Sequence, residues 1–225
     1  MDVFEAVDSR ISCRWFLDKP VDPTLVRDLI ARAARAASGG NLQPWQVYAL
    51  TGAPLADLKH KVADRIAGGD PRHEDAQYPI YPETMWEPYK ARRDEHGVQL
   101  YGALGIDRTD AQARLGQYKR NFQFFNAPVA LFIGIDRNLG PGQWADLGGY
   151  IHAVMFLARG CGLDTCAQES WARMHRVVAP FVKMPEEEIL FCALGIGYGD
   201  RAHPANSFRS PRAEPQEFCR FFGFE

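Results

Sequence analysis

Arg10, Ser12 and Arg14 recur at every second position. On an extended backbone alternate side chains leave the same face, so this spacing sets two guanidinium groups and a hydroxyl side by side. Arginine offers a rigid fork of charge-assisted hydrogen bonds, which makes such a face a receptor for a phosphate or another electron-rich group. The competing reading is an edge strand whose charges guard against aggregation. A second basic pair, Arg209 and Arg212, follows Asn206-Ser207-Phe208 near the C-terminus.

The run Ser38-Gly39-Gly40-Asn41-Leu42-Gln43-Pro44-Trp45 is a further candidate. Small residues at a helix end let a flat ligand approach the backbone closely, and the amides of Asn41 and Gln43 can each donate and accept. A glycine C-cap leading into a turn satisfies the same residues. Gly195, Gly197 and Gly199 follow an apolar run but lack the spacing of a dinucleotide-binding loop, and no helix is expected over 200–211. They read as a glycine-rich strand exit. Cys166 and His175 could suggest a thiol nucleophile, against the plainer reading of a buried cysteine at a strand end.

These residues need elements to hold them. Asp2 with Glu5 predicts a capping box and a short helix. Residues 10–16 read as extended, and Asp22-Pro23 opens a helix with one broad apolar stripe of Leu25, Val26, Leu29, Ile30 and Ala33. A strand is expected over 44–50, an amphipathic helix over 55–66, a strand buried on both faces over 128–135, a nearly all-apolar helix over 146–161 and a last core strand over 189–196. That helix needs burial on several sides, as a core helix or at a subunit interface. Between 68 and 119 prolines 79, 82 and 88 interleave with Tyr78, Tyr81, Trp86, Tyr89 and Tyr101, the mark of a functional excursion or lid. Phe218, Phe221, Phe222 and Phe224 crowd the final residues, a tail expected to pack across a partner subunit. The order of elements predicts an α+β fold with a central sheet flanked by helices.

Of the 225 residues 46% are hydrophobic and 24% charged, with a net charge of -2. That composition encodes no pull toward nucleic acid or a membrane surface. No apolar run reaches the roughly 18 to 20 residues of a membrane span, and the acidic start lacks a secretory layout. The five cysteines are an odd number and suit reduced thiols in a cytoplasm. Neither they nor the six histidines fall at metal-ligand spacings, so no metal site is expected.

Taken in order, Arg10-Ile11-Ser12-Cys13-Arg14, the helix, Asn41-Leu42-Gln43-Pro44-Trp45, the strand after Ala127-Pro128, the buried helix and the Arg209/Arg212 tail resemble the nitroreductase family over nearly the whole chain. The Tyr- and Pro-rich insertion and Arg120-Asn121-Phe122-Gln123-Phe124-Phe125 are similar to members that reduce nitrobenzoates. The resemblance implies one nitroreductase domain over 1–225, with 68–119 as a lid over the active site. It implies a central, mainly antiparallel sheet flanked by helices, in a homodimer with swapped tails and FMN at each of two subunit interfaces. Arg10 and Ser12 would hold the FMN phosphate, joined by Arg212 or Arg209, with Ile11 also among the cofactor-binding residues. Arg14 would lie by the flavin N1 and O2 atoms, where a cation stabilises the reduced ring. Gln43 would bond the pyrimidine edge, with Asn121 or, one residue earlier, Arg120 as a further contact. Ala37, Ser38, Gly39 and Asn41 would reach the flavin of the partner subunit. Gln168, Glu169 and Ser170 match the loop whose N–H groups approach flavin N5. Two departures touch this pattern: the proline and glycine usual in the N5 loop are replaced in Ala167-Gln168-Glu169-Ser170-Trp171, and the usual Pro-Ser-Ser turn has become Ala37-Ser38-Gly39.

The implied activity is ping-pong reduction of nitroaromatics by NAD(P)H, with hydride passing through flavin N5 and no side chain as nucleophile. Tyr81, Trp86, Tyr89, Tyr101 and Trp171 are candidate stacking surfaces for an aromatic substrate. Arg92, Arg93 or Arg120 could pair with a substrate carboxylate. Quinones, activated alkenes and halogenated phenols are rival acceptors, and a non-catalytic flavin-binding protein or a plain interaction module are rivals of other classes.

Overall fold

Asp2 and Glu5 cap each other across the first turn of α1 (Val3–Ser9): Glu5 N donates to Asp2 Oδ1 at 2.9 Å and Asp2 N to Glu5 Oε2 at 3.0 Å. Asp22 accepts from Thr24 N ahead of Pro23 and so opens α2 (Pro23–Ala33). Both helix starts follow from local chemistry that the sequence displays. The structure is a computed structural model and describes residues 1–224.

Four strands form one sheet in the order β1-β2-β4-β3, from β1 (Gln46–Thr51), β2 (Val129–Asp136), β3 (Asp164–Gln168) and β4 (Glu188–Gly197). Every pairing is antiparallel, so the α+β expectation holds. β2 is buried on both faces, as its unbroken apolar run requires. Val129, Leu131, Ile133 and Ile135 point into one core with α2 and α6 (Pro141–Gly160), while Ala130 and Phe132 point into the other with α3 (Gly52–Ile66) and α7 (His175–Val182). Each large apolar side chain so buried contributes about 1.5–3 kcal/mol.

α6 begins five residues before the expected 146, because Gly140-Pro141 is itself a start: proline takes the first position and Gln143 Oε1 accepts from Gly140 N at 3.2 Å. Its inner stripe (Leu147, Tyr150, Ile151, Val154, Met155, Ala158) is buried, while Phe156 and Leu157 on the outer side are only partly covered. The insertion also differs from expectation. It contains two helices, α4 (Tyr89–Ala103) and α5 (Ala111–Lys119), which bury no residue fully and so carry no strong apolar stripe to betray them. The last helix, α8 (Pro215–Phe218), is a single turn.

The glycine run at the end of β4 is a packing device. A Cβ on Gly197 would sit 2.6 Å from Pro128 Cδ, and one on Gly199 would sit 2.5 Å from Asp164 Oδ2. All five cysteines are free, and Cys166 lies buried within β3. Among the described residues no helix is long and apolar enough to cross a membrane, and no cluster of three metal-ligating side chains occurs.

Candidate functional site

Residues 10–16 are laid against the sheet by backbone bonds. Cys13 N donates to Thr165 O at 2.9 Å, Phe16 N to Phe125 O at 3.0 Å and Leu17 N to Tyr198 O at 2.8 Å. The carbonyl of Phe125 is presented by an unusual turn, in which Phe124, Phe125 and Asn126 take φ values of 51°, 52° and 72°. A left-handed residue other than glycine costs about 1–2 kcal/mol, offset here by the burial of both phenylalanine rings. Asn206 closes the other side: its Oδ1 accepts from Arg14 N at 2.6 Å and its Nδ2 donates to Trp15 O at 2.9 Å and Asp200 O at 2.7 Å. Below the segment, buried Asp164 accepts from Arg159 at 3.1 Å, from Arg201, and from Gly199 N at 3.3 Å.

With the backbone fixed, Arg10, Ser12 and Arg14 share one face as the spacing predicts, although Ile11 joins them at the cavity and Phe16 breaks the alternation by turning inward. Cys13 and Phe16 turn inward and are buried, and burial pushes the Cys13 thiol up to about 12. Arg10, Ser12 and Arg14 face outward into a cavity of about 360 Å³, joined there by Arg209 and Arg212. None of these four arginines forms an ion pair among the described residues, although ion pairs are common elsewhere on the surface. Arg209 donates to the Asp8 carbonyl, and Arg212 Nη1 donates to the carbonyls of Ser210 and Pro211, each at 3.0 Å. The Arg10 guanidinium is held below its usual range by burial, then by Arg212 and Arg209. Four converging arginines outnumber Asp8, the one carboxylate residue lining the cavity, and attract a compact anion.

A second cavity, of about 480 Å³, lies further along β3. Thr165 bridges Ser12 at the first cavity, and Gln168, three residues on, lines the second. At strand rise that separation is about 10 Å. Gln168 is buried; its Nε2 donates to Asn121 O at 2.9 Å and Oδ1 at 3.2 Å, while its Oε1 has no partner. Ser170 Oγ is likewise buried and unpartnered. Orphaned polar atoms of this kind are rare in folded proteins, and two at one cavity fit the polar edge of a bound ring. Glu169 sits at the mouth, reached by solvent yet surrounded by protein, and burial raises its carboxyl. The pair of cavities therefore fits a ligand with a phosphate at one end and a hydrogen-bonding ring at the other, as FMN has.

Among the remaining predicted residues, Asn121 lines the second cavity, but its Nδ2 is engaged by the Tyr118 carbonyl at 2.8 Å. Tyr81 also lines it. Tyr101 lies in an adjoining groove under the Arg114 guanidinium, 5.0 Å from the ring centre. Trp86 and Tyr89 are exposed and pack edge to face on each other at 5.6 Å, outside both cavities. Two assignments are corrected. Trp171 is no stacking surface: it is fully buried, stacked on Phe124 at 4.4 Å, and its Nε1 donates to Asn121 O at 3.1 Å. Arg120 faces neither cavity, because its guanidinium lies 4.1 Å over the Trp15 ring. Of the other arginines considered for a carboxylate, Arg92 is paired with Glu217 at 3.0 Å and Arg93 lines the groove rather than the cavity.

Ser38, Gly39, Asn41 and Gln43 form one tight turn that faces neither cavity of this chain. Gly39 N donates to Asp146 Oδ2 at 3.0 Å and Gln43 N to Ser38 Oγ at 3.0 Å, with Asn41 and Gln43 both left-handed. Ala37 precedes the turn. Gln43 thus sits with Asn41, and the structure offers no division between them.

Four contributors escaped the sequence reading. His96 of α4 and Ser210 line the first cavity, and Arg72 and Arg173 line the second. Arg173 was within reach, since it falls one turn beyond Glu169 in the same short 3-10 segment. Nothing in the sequence links His96 to Arg14.

A model of the Nitroreductase family matches residues 7–198. The chain is 35% identical over 225 residues to a 4-nitrobenzoate reductase of Pseudomonas putida, covering 100% of this chain and 97% of that one. It is 32% identical over 220 residues to a nitrobenzene nitroreductase of Ectopseudomonas oleovorans, covering 96% and 95%. The crystal structure of NfnB from Sphigopyxis sp. strain HMH, an FMN and NADPH-dependent nitroreductase, superposes with a TM-score of 0.95 at 39% identity, over 100% of both chains.

Proposed function

The chain belongs to the nitroreductase family, and on that premise we propose that it is an FMN-dependent oxidoreductase using NAD(P)H to reduce nitroaromatic compounds. The observation that carries the proposal is the paired site on β3: four arginines around Ser12 at one end, and orphaned Gln168 and Ser170 at the other. Arg10, Ser12, Arg209 and Arg212 would hold the phosphate, with Ile11 flanking them, and Arg14 would supply a fixed cation toward the ring. FMN held by these residues would supply two-electron hydride chemistry between NAD(P)H and a nitroarene. The side chains bind, orient and exclude water, and none needs to be a nucleophile.

Residues 68–119 act as a lid on a single nitroreductase domain spanning 1–225, with Tyr81 presenting an aromatic face at the second cavity. The protein works as a homodimer. Phe218, Phe222 and Phe224 are 72%, 86% and 80% exposed on one chain, more apolar surface than a solitary protein leaves bare. Ser38, Gly39 and Asn41, in a turn whose Leu42 is 58% exposed, would reach the partner's cofactor, and Gln43 would bond the pyrimidine edge. Its compartment is the cytoplasm, where five free cysteines stay reduced.

The test is direct. Purified protein should be yellow, bleach on anaerobic addition of NADPH or NADH, and recover its colour with 4-nitrobenzoate. A colourless protein after incubation with FMN removes the proposal, and colour that bleaches but is not restored by nitroarenes removes the acceptor. Light scattering should give twice the chain mass of 25.3 kDa.

A further inference from the structure

Arg14 enters the cofactor cavity without a carboxylate to hold it. Its Nη1 reaches the Ser12 carbonyl at a long 3.4 Å, and its Nη2 meets His96 Nε2 at 3.1 Å. On the far side of the same imidazole, His96 Nδ1 lies 2.9 Å from Ser210 Oγ. A guanidinium has donors only. His96 Nε2 therefore accepts, the ring proton sits on Nδ1, and Ser210 Oγ accepts from it. The Ser210 hydroxyl hydrogen is then left to donate elsewhere, and Ser210 lines the cavity.

We infer that His96, carried by the insertion helix α4, is a positioning residue for Arg14, aiming its guanidinium at the bound flavin and aligning Ser210 as an added phosphate donor. The inference rests on the functional reading above. A neutral imidazole suits the task better than a carboxylate would. It fixes the direction of the guanidinium but leaves its whole positive charge for the ligand, whereas an aspartate here would cancel it. The surroundings keep the ring neutral: burial, then Arg14 and Arg212, hold its pKa below the usual histidine value. Phe208 packs against the other side at 5.7 Å. The lid helix is thereby part of the cofactor site as well as its cover.

Two variants separate positioning from packing. In His96→Gln the side-chain oxygen reaches the place of Nε2 and can still accept from Arg14. In His96→Asn the amide reaches only the place of Nδ1, keeping Ser210 and losing Arg14. FMN dissociation constants from fluorescence quenching and flavin midpoint potentials would be measured for both and for the wild type. His96→Asn is expected to weaken FMN binding by about fivefold, the worth of one ordinary hydrogen bond, and to make the flavin harder to reduce. His96→Gln should restore the midpoint potential and most of the FMN affinity, falling short only by what the alignment of Ser210 contributes. Asn and Gln variants that behave alike, or an Asn variant equal to wild type, would overturn the inference while leaving the function standing. A wild-type protein that takes up no FMN overturns the functional reading, and this inference with it.

Discussion

Residues 10–16 and the insertion 68–119 both bring charged and aromatic side chains to the same cleft, and they are held in opposite ways. The first is bonded through its backbone to β3, to the stretch just after β4, to the Phe125 turn and to Asn206, with Cys13 and Phe16 anchored in the core. The second carries helices α4 and α5, neither of which fully buries a residue, and is tied down by surface pairs such as Arg92–Glu217 and Arg65–Glu74 and by two bonds from Gln77 and Tyr78 to β4. Exposed ion pairs are worth about 0–1 kcal/mol each. On the proposed function the stiff region would grip the cofactor that every catalytic cycle needs, and the soft one would meet the acceptor, which varies among relatives. His96 crosses this division.

The contrast can be tested by attacking each region in turn. The largest effect should come from the floor of the stiff region. Asp164→Ala strands Arg159 and Arg201 beside a buried site, and breaking such a pair costs about 3–5 kcal/mol. Urea denaturation checks this, and a loss under about 1 kcal/mol would mean that the segment is held by its backbone alone. Next, Arg10→Ala and Arg212→Ala should each weaken FMN binding by about 1.5–3 kcal/mol, the range for hydrogen bonds to charged groups. Titration of apoprotein measures it, and two unaffected constants would displace the phosphate from this cavity.

At the second cavity, which the soft region borders through Arg72, Tyr81 and Tyr118, the effects should be smaller and should depend on the substrate. Arg173, half-buried in the second cavity and without an ion-pair partner among the described residues, donates to the Glu74 carbonyl at 2.5 Å. Arg173→Gln should lower kcat/KM for 4-nitrobenzoate about tenfold more than for neutral nitrobenzene, as loss of one charged contact implies. Equal losses would place the carboxylate elsewhere. The smallest effect concerns pH. The His96 pKa in the folded protein lies below its ordinary 6.5, so the unfolded chain binds more protons as pH falls through that value. Its stabilisation is whole above pH 6.5 and declines as the solution is acidified toward the folded pKa. His203 is shifted the same way, by burial. Thermal midpoints recorded between about pH 7.5 and 5.5 should fall less in His96→Gln than in the wild type, and parallel curves would count against a buried neutral ring.

What the sequence disclosed follows the same line. The capping box of Asp2 and Glu5, the Asp22-Pro23 helix start and the double-faced run of β2 are local rules that the structure obeys, and period two along 10–14 brings Arg10, Ser12 and Arg14 together, with Ile11 the exception at the same cavity. Depth is another matter. Trp171 reads like the other exposed aromatics until Phe122, Phe124 and Phe132, from distant stretches, close around it. Arg120 was indistinguishable from a substrate anchor because its partner, Trp15, lies 105 residues earlier. His96 and Arg14 are 82 positions apart, and only the docking of α4 brings them together. The helices of the insertion were hidden for a related reason, since a helix with no buried stripe leaves no period to read.

Asn206 carries one more consequence, which concerns time. Synthesis makes Arg10, Ser12 and Arg14 first. The bonds that fix them come from Thr165, Tyr198 and finally Asn206, so the earliest-made motif is the last to acquire its shape. Contacts this distant in sequence form slowly. A nascent chain on the ribosome therefore exposes the arginines proposed to hold the phosphate long before their geometry is set, and on that proposal cofactor loading belongs to the finished chain.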